Sequence, residues 1–259
     1  MRIVSRNRRK CYMVRYPVFL FILFSSFFAR ADLASGSLVV GTLDYNPPFE
    51  VVSAQGTFGF DIDIMRAVCT HANLTCTFKG FVYGDLFLQI ETGGIDLAIA
   101  TIITSKFIQP EDFILSTPYL PSLAVFLVRK DSSINSIADL KGKVVATVAD
   151  PLFETYLYTH YENISTIFST FYTKLEPALN DLQSGKIDAL LFDKLAVDYW
   201  VANNSKQFKS VGESVAIGFG YAIMMSKNNV ELMAVINKAL ADMEKDGSYL
   251  ELYRRYFGQ

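Results

Sequence analysis

The residues here that could do chemistry are polar groups set at the ends of apolar runs. Ser184–Asp193 reads Ser-Gly-Lys-Ile-Asp-Ala-Leu-Leu-Phe-Asp. The run Ile187–Phe192 is short, apolar and preceded by a turn at Gly185, which predicts a buried strand. It stops at Asp193. Ligands of open α/β sheets bind beyond the carboxyl ends of the strands, so Asp193 would project into a crevice. The same position suits an N-cap, in which a carboxylate accepts the free N–H groups of the next helix. Both roles stay open at this level. The stretch has an echo at Thr92–Thr101, Thr-Gly-Gly-Ile-Asp-Leu-Ala-Ile-Ala-Thr. Each copy follows an amphipathic segment, Asp85–Glu91 and Leu175–Gln183. Two such units predict two lobes, each presenting a strand end to a shared cleft.

The composition narrows the chemistry. Arg2, Arg6, Arg8, Arg9, Lys10 and Arg15 precede an apolar run of 13 residues, Pro17–Ala29, and an Ala-x-Ala site at Ala29–Ala31. This pattern predicts a secretory signal peptide over residues 1–31, cut before Asp32. The run is too short to span a bilayer comfortably, although an uncleaved anchor is the alternative. The remaining 228 residues carry 17 Lys and Arg against 26 Asp and Glu, a charge of −9. An acidic chain without a basic patch argues against nucleic acid. Cys69 and Cys76 survive cleavage, and in an oxidising compartment they are expected to pair as a disulfide; two buried thiols are the alternative. Without a nearby His or third Cys they make no zinc site. The two histidines, His71 and His160, stand in no Ser/His/Asp arrangement. No cofactor, metal or catalytic residue is expected.

Elements able to position such strand ends follow in alternation. Strands are predicted at Ser37–Leu43, Thr75–Phe81, Ile95–Thr101, Leu123–Arg129, Lys143–Val148, Ile167–Tyr172, Ile187–Phe192 and Val215–Ser226. Helices are predicted at Ile62–Ala72, Asp85–Glu91, Leu152–Tyr161, Leu175–Gln183, Ala196–Asn203, Val230–Asp246 and Tyr249–Tyr256. Asp150-Pro151 is a good helix start, with Asp at the N-cap and Pro at the first helical position. Alternation of this kind marks an α/β fold with mostly parallel sheets. The size suits one large domain or two lobes of about 100 residues each.

Several stretches recur in order in a known family: Gly41-Thr-Leu-Asp-Tyr-Asn-Pro-Pro-Phe-Glu, Gly59-Phe-Asp-Ile-Asp, Ser116-Thr-Pro-Tyr119, Leu140-Lys-Gly-Lys143, and an ending that runs through Asn237-Lys-Ala-Leu, Asp246-Gly-Ser-Tyr and Tyr256-Phe-Gly258. Together they resemble the periplasmic polar amino-acid-binding proteins of ABC transporters, solute-binding protein family 3, over nearly the whole exported chain. The cysteine pair is similar to that of the lysine/arginine/ornithine and histidine receptors. The resemblance implies a type II periplasmic-binding-protein-like fold, with two α/β lobes joined by two hinge strands, Leu123–Arg129 and Val215–Tyr221. Lobe 1 would hold residues 32–124 and 220–259, and lobe 2 residues 125–219. It implies a periplasmic, monomeric receptor that takes an amino acid between its lobes and delivers it to a membrane ABC permease.

Carried over position by position, the resemblance makes Asp193 the acid that holds the ligand ammonium and Tyr83 an aromatic wall. It places Tyr45 and Asn46 at an aromatic loop position, where a Tyr face could stack on a guanidinium. Asp44 could pair with a cationic ligand side chain. The carboxylate side departs from the family. The Arg that forks a ligand carboxylate falls on Ile108 or Gln109, and no Arg occurs between Arg66 and Arg129. Thr101, Thr104 and Lys106 would hold a carboxylate instead, although Lys offers no planar fork. Where the family has Gly-Thr-Thr, this chain has Asp150-Pro151-Leu152, with Leu152 at the ligand side and fewer donors for an anion. A cationic, arginine-like amino acid fits best. A carboxylate-free amine and a dehydratase-like periplasmic enzyme on the same scaffold are the alternatives.

Overall fold

The computed structural model describes residues 36–105, 112–161 and 168–258. The expected signal peptide and Lys106 lie outside the described residues. In chain order the elements are β1 (Ser37–Leu43), β2 (Tyr45–Asn46), β3 (Glu50–Ser53), β4 (Gly56–Phe58), α1 (Phe60–His71), β5 (Thr75–Phe81), α2 (Tyr83–Glu91), β6 (Leu97–Ile103), β7 (Phe113–Leu115) and β8 (Leu123–Arg129). A 3-10 turn at Ile137–Leu140 leads to β9 (Val144–Val148), α3 (Pro151–Tyr161), β10 (Phe168–Tyr172), α4 (Leu175–Ser184), β11 (Ala189–Asp193) and α5 (Lys194–Asn203). The chain ends with β12 (Phe208–Ala216), β13 (Tyr221–Ser226), α6 (Val230–Asp246) and α7 (Ser248–Phe257).

Two five-stranded sheets make two α/β lobes, and a small hairpin sheet of β2, β3 and β4 is attached to the first. The first sheet runs β5-β1-β6-β13-β7 and the second β10-β9-β11-β8-β12. In the first, β1 is parallel to β5 and β6, and β13 returns antiparallel to β6 and β7. In the second, β9 is parallel to β10 and β11, and β8 is antiparallel to β11 and β12. The two echoing segments therefore supply equivalent strands. β6 and β11 are each the third strand of a parallel trio and each sits beside an antiparallel neighbour. Their apolar runs are buried almost throughout, as central strands covered on both faces must be.

Helix periodicity sets the outer layers. α6 turns Met233, Ile236, Ala239, Leu240 and Met243 inward and packs on α1, whose Ile64, Met65 and Val68 are fully buried. Each such large side chain contributes roughly 1.5–3 kcal/mol relative to exposure. Cys69, near the end of α1, forms a disulfide with Cys76 in β5, their Cα atoms 6.2 Å apart.

Two crossings join the lobes, as the resemblance implies, and the second lies within the expected Val215–Tyr221. Leu123–Arg129 pairs along its length with β11 and β12, so it belongs to the second sheet. The chain crosses just before it. The strand expected over Val215–Ser226 is two strands: β12 ends at Ala216 and β13 begins at Tyr221. Between them Gly218 and Gly220 take φ of 67° and 128°, which breaks the extended path. The crossings are laced together by the Leu120–Tyr221 bridge and by Ile217 N–H donating to the Ser122 carbonyl. No helix among the described residues is long and apolar enough to cross a membrane.

Candidate functional site

The carboxyl ends of β6 and β11 approach each other between the lobes, and the polar groups there bond across the gap. Asp193 is 3% exposed. One oxygen accepts the Ala196 N–H at 2.8 Å and so caps α5; the other accepts the Tyr221 hydroxyl of the first lobe at 2.5 Å. Capping and projection into the cleft are thus both properties of one side chain. Burial pushes its carboxyl up to about 6, against the pull of the Tyr221 hydroxyl and the backbone donors.

Asp150 makes the second crossing. It follows β9 and opens α3, and it too is buried. Its Oδ1 accepts the Leu152 N–H at 2.9 Å, as an N-cap does. Its Oδ2 reaches the first lobe, accepting the Tyr83 hydroxyl at 2.7 Å and the Ile103 N–H at 3.3 Å. Burial raises the Asp150 carboxyl, and burial next to that carboxyl pushes the Tyr83 hydroxyl well above its ordinary value.

Two further acids lie buried in the first lobe beside this gap. Asp61, in the first turn of α1, accepts the Thr101 N–H at 3.0 Å and the Tyr119 hydroxyl at 2.8 Å. Glu50 accepts from the Asn46 amide at 3.4 Å, and the same amide lies 3.5 Å from the Thr101 hydroxyl. Burial lifts Asp61 to about 7, and burial together with the Asp61 charge lifts Glu50 well above the carboxylate range. Among the described residues neither acid is in an ion pair with a Lys, Arg or His. Among the described residues Glu50 Oε2, Asp61 Oδ1 and Asn46 Oδ1 find no hydrogen-bond partner. Burying carboxylates without cations is costly unless they keep their protons or a cation is brought to them. Backbone strain gathers at the same place: Thr101 and Ala149 hold φ of 48° and 64° without being glycine. For a β-branched residue such as Thr101 this is a true outlier, of the kind found at ligand clamps.

The other residues singled out from the sequence spread around this core. Asp44 meets Lys174 of the second lobe at 3.4 Å, an exposed pair, so it already has a cation of the protein's own. Tyr45 and Asn46 line a narrow gap of about 40 Å³ together with Phe81, Ala149, Glu176 and Phe192. Thr104 donates its hydroxyl to the Gly220 carbonyl at 3.1 Å, within a crossing segment. Leu152 and Tyr83 line a larger, mostly apolar cavity of about 400 Å³. Glu50, Asp61 and Tyr221 were not expected in the site. Glu50 and Asp61 stand in the quoted motifs, but nothing in their spacing announces that they converge with Asp193. Among the described residues no cluster could hold a metal ion.

The profile of the bacterial extracellular solute-binding proteins, family 3, matches residues 38–259. The crystal structure of an arginine third transport system periplasmic binding protein from Legionella pneumophila is 35% identical, superimposes with a TM-score of 0.80, and is matched over 86% of this chain and 100% of its own. ABC transporter arginine-binding protein 1 of Escherichia coli K12 is 28% identical over 82% of this chain and 87% of its own. The histidine-binding periplasmic protein of Salmonella typhimurium is 29% identical over 92% of this chain and 94% of its own. These are receptors rather than enzymes. With the family profile spanning both lobes and the cleft between them, this chain belongs to the bacterial extracellular solute-binding proteins, family 3.

Proposed function

We propose that this chain is a periplasmic receptor that captures a small, arginine-like cationic solute between its lobes and delivers it to a membrane ABC permease. It acts as a monomer, exported by a signal peptide over residues 1–31. The observation that carries the reading is the charge of the cleft floor. Asp193, Asp61 and Glu50 are buried together, without a Lys or Arg paired to them among the described residues. A cation entering the cleft supplies the missing charge and draws the carboxyls back to their ionised form. Tyr45 offers a face on which a planar guanidinium can stack. Lobes 1 and 2 are taken as residues 32–124 with 220–259, and 125–219, with closure about the two crossings. Receptors of similar sequence are named for arginine and histidine, which agrees with the sign of the floor.

The test is thermal unfolding of the purified protein with arginine, lysine, histidine and glutamate. Binding to the folded state raises the melting temperature by mass action. Arginine or another cation is expected to raise it and glutamate to leave it unmoved, and Asp193→Asn should abolish the shift. A rise with glutamate alone, or a cation shift that survives Asp193→Asn, would count against the reading.

A further inference from the structure

We propose that Asp150 makes the second pole of the cleft anionic, so that the preferred ligand is a dication without a free carboxylate, a diamine or an amino-guanidine, rather than an amino acid. The inference rests on the receptor reading above and narrows its ligand class.

An anionic end of a ligand needs donors at the mouths of the strands and helices. Between these lobes such donors exist: the Ile103 N–H at the end of β6, the Leu152 N–H at the start of α3, and the Tyr83 hydroxyl. The protein's own carboxylate takes all three, at 3.3, 2.9 and 2.7 Å. Pro151, which opens α3, has no N–H to add. A ligand carboxylate brought here meets a fixed like charge in place of donors, and like-charge juxtaposition is a strong device for rejecting a wrong partner.

A cation meets the reverse. Asp150 is 4% exposed and stands in no ion pair among the described residues. A carboxylate offers about four acceptor positions, so three bonds leave one for a ligand ammonium. Asp150 also lines the cavity of about 400 Å³, whose walls include Tyr83, Phe87, Ile102 and Met224 and whose exposed edge carries Asp85. Among the described residues no Lys or Arg lines it. The volume lies within the range of small-molecule sites, and apolar walls strengthen a charge interaction by excluding water. The other pole is Asp193. Tyr221, which bonds to Asp193, is the register partner of Ile103, whose N–H Asp150 accepts, so the two acids meet adjacent strands of the first lobe at one level. A short chain with a positive group at each end can face both.

Calorimetric titration of the purified protein with two matched pairs tests this: agmatine against arginine, and putrescine against ornithine, each pair differing by one carboxylate. The carboxylate-free member is expected to bind at least about ten-fold tighter, a difference of about 1.4 kcal/mol. Asp150→Asn keeps the shape and the cap but removes the charge, and should cut that ratio to near unity or invert it. Asp193→Asn should abolish the binding of both members of a pair alike, which separates the two poles. Melting curves of the unliganded variants establish that they fold, and Tyr83→Phe, which leaves the charge in place, should keep the preference. Arginine binding as tightly as agmatine would overturn the role of Asp150 and leave the receptor reading standing. A preference for amines that persists in Asp150→Asn would also overturn it. Failure of all four compounds to bind would remove both readings.

Discussion

Tyr221 of the first lobe donates its hydroxyl to Asp193 of the second across 2.5 Å, and this bond closes the floor of the cleft. The two residues are 28 positions apart, on strands of different sheets. Tyr221 is fully buried, with its ring edge-on to Phe49 at 6.1 Å. Tyr221→Phe keeps that packing and deletes only the donor. Removing a hydrogen bond to a charged group costs about 1.5–3 kcal/mol. Urea unfolding should show a loss of this size, and the Asp193 carboxyl should titrate above its present value of about 6. A change within error would mean that the bond contributes nothing net.

The buried acids set the pH dependence. Asp61 sits at about 7 and Asp193 at about 6, both above the ordinary 3.8. Between 3.8 and these values the folded protein holds protons that the unfolded chain releases. Stability of the unliganded protein therefore falls as pH rises through this window, and Glu50 and Asp150, raised by burial as well, add losses of the same sign. His71, raised by its bond to Asp246, adds a loss of the same sign above 6.5. Asp61→Asn isolates the acid: its urea midpoint should fall less from acidic to neutral pH than that of the wild type. Affinity for a cation should rise over the same window, as the floor becomes charged.

The disulfide ties the end of α1 to β5 and closes a short loop. In the chain-entropy model such a loop is worth about 2–3 kcal/mol. Reduction, or Cys69→Ser with Cys76→Ser, should lower the unfolding free energy by that amount and leave the ligand affinity unchanged, because neither cysteine lines the cavities between the lobes.

Gly218 marks the crossing between β12 and β13. Its φ is 67°, and a Cβ there would lie 2.2 Å from the Thr104 carbonyl oxygen, which is backbone and cannot swing aside. Left-handed conformation and overpacking together should make Gly218→Ala cost about 2–4 kcal/mol. Chemical unfolding measures the loss. Because Thr104 and Gly220 are bonded to each other here, ligand affinity should fall as well.

Local order was largely legible in the chain. The amphipathic period of Val230–Asp246 predicts α6 to the residue, and Asp150-Pro151 marks the start of α3, because a helix face and an N-cap depend on neighbours within a few positions. The short echo of Gly, Ile-Asp and an apolar run identified β6 and β11 as matching strands, and the fold gives them matching places in their sheets. Asp193 could be named as a strand-end acid for the same reason. The second crossing falls within the expected Val215–Tyr221, but the single strand expected over Val215–Ser226 is broken there, since an apolar run does not reveal where two glycines turn the chain from one sheet to the other. Only the tertiary structure decided what faces Asp193 and Asp150. Tyr221 arrives on a strand that returns antiparallel beside β6, and Tyr83 lies 67 positions before Asp150. Periodicity and capping act over a few residues along the chain. The packing of two sheets alone brings four buried acids and three tyrosines into one cleft, and their shared burial shifts their protonation.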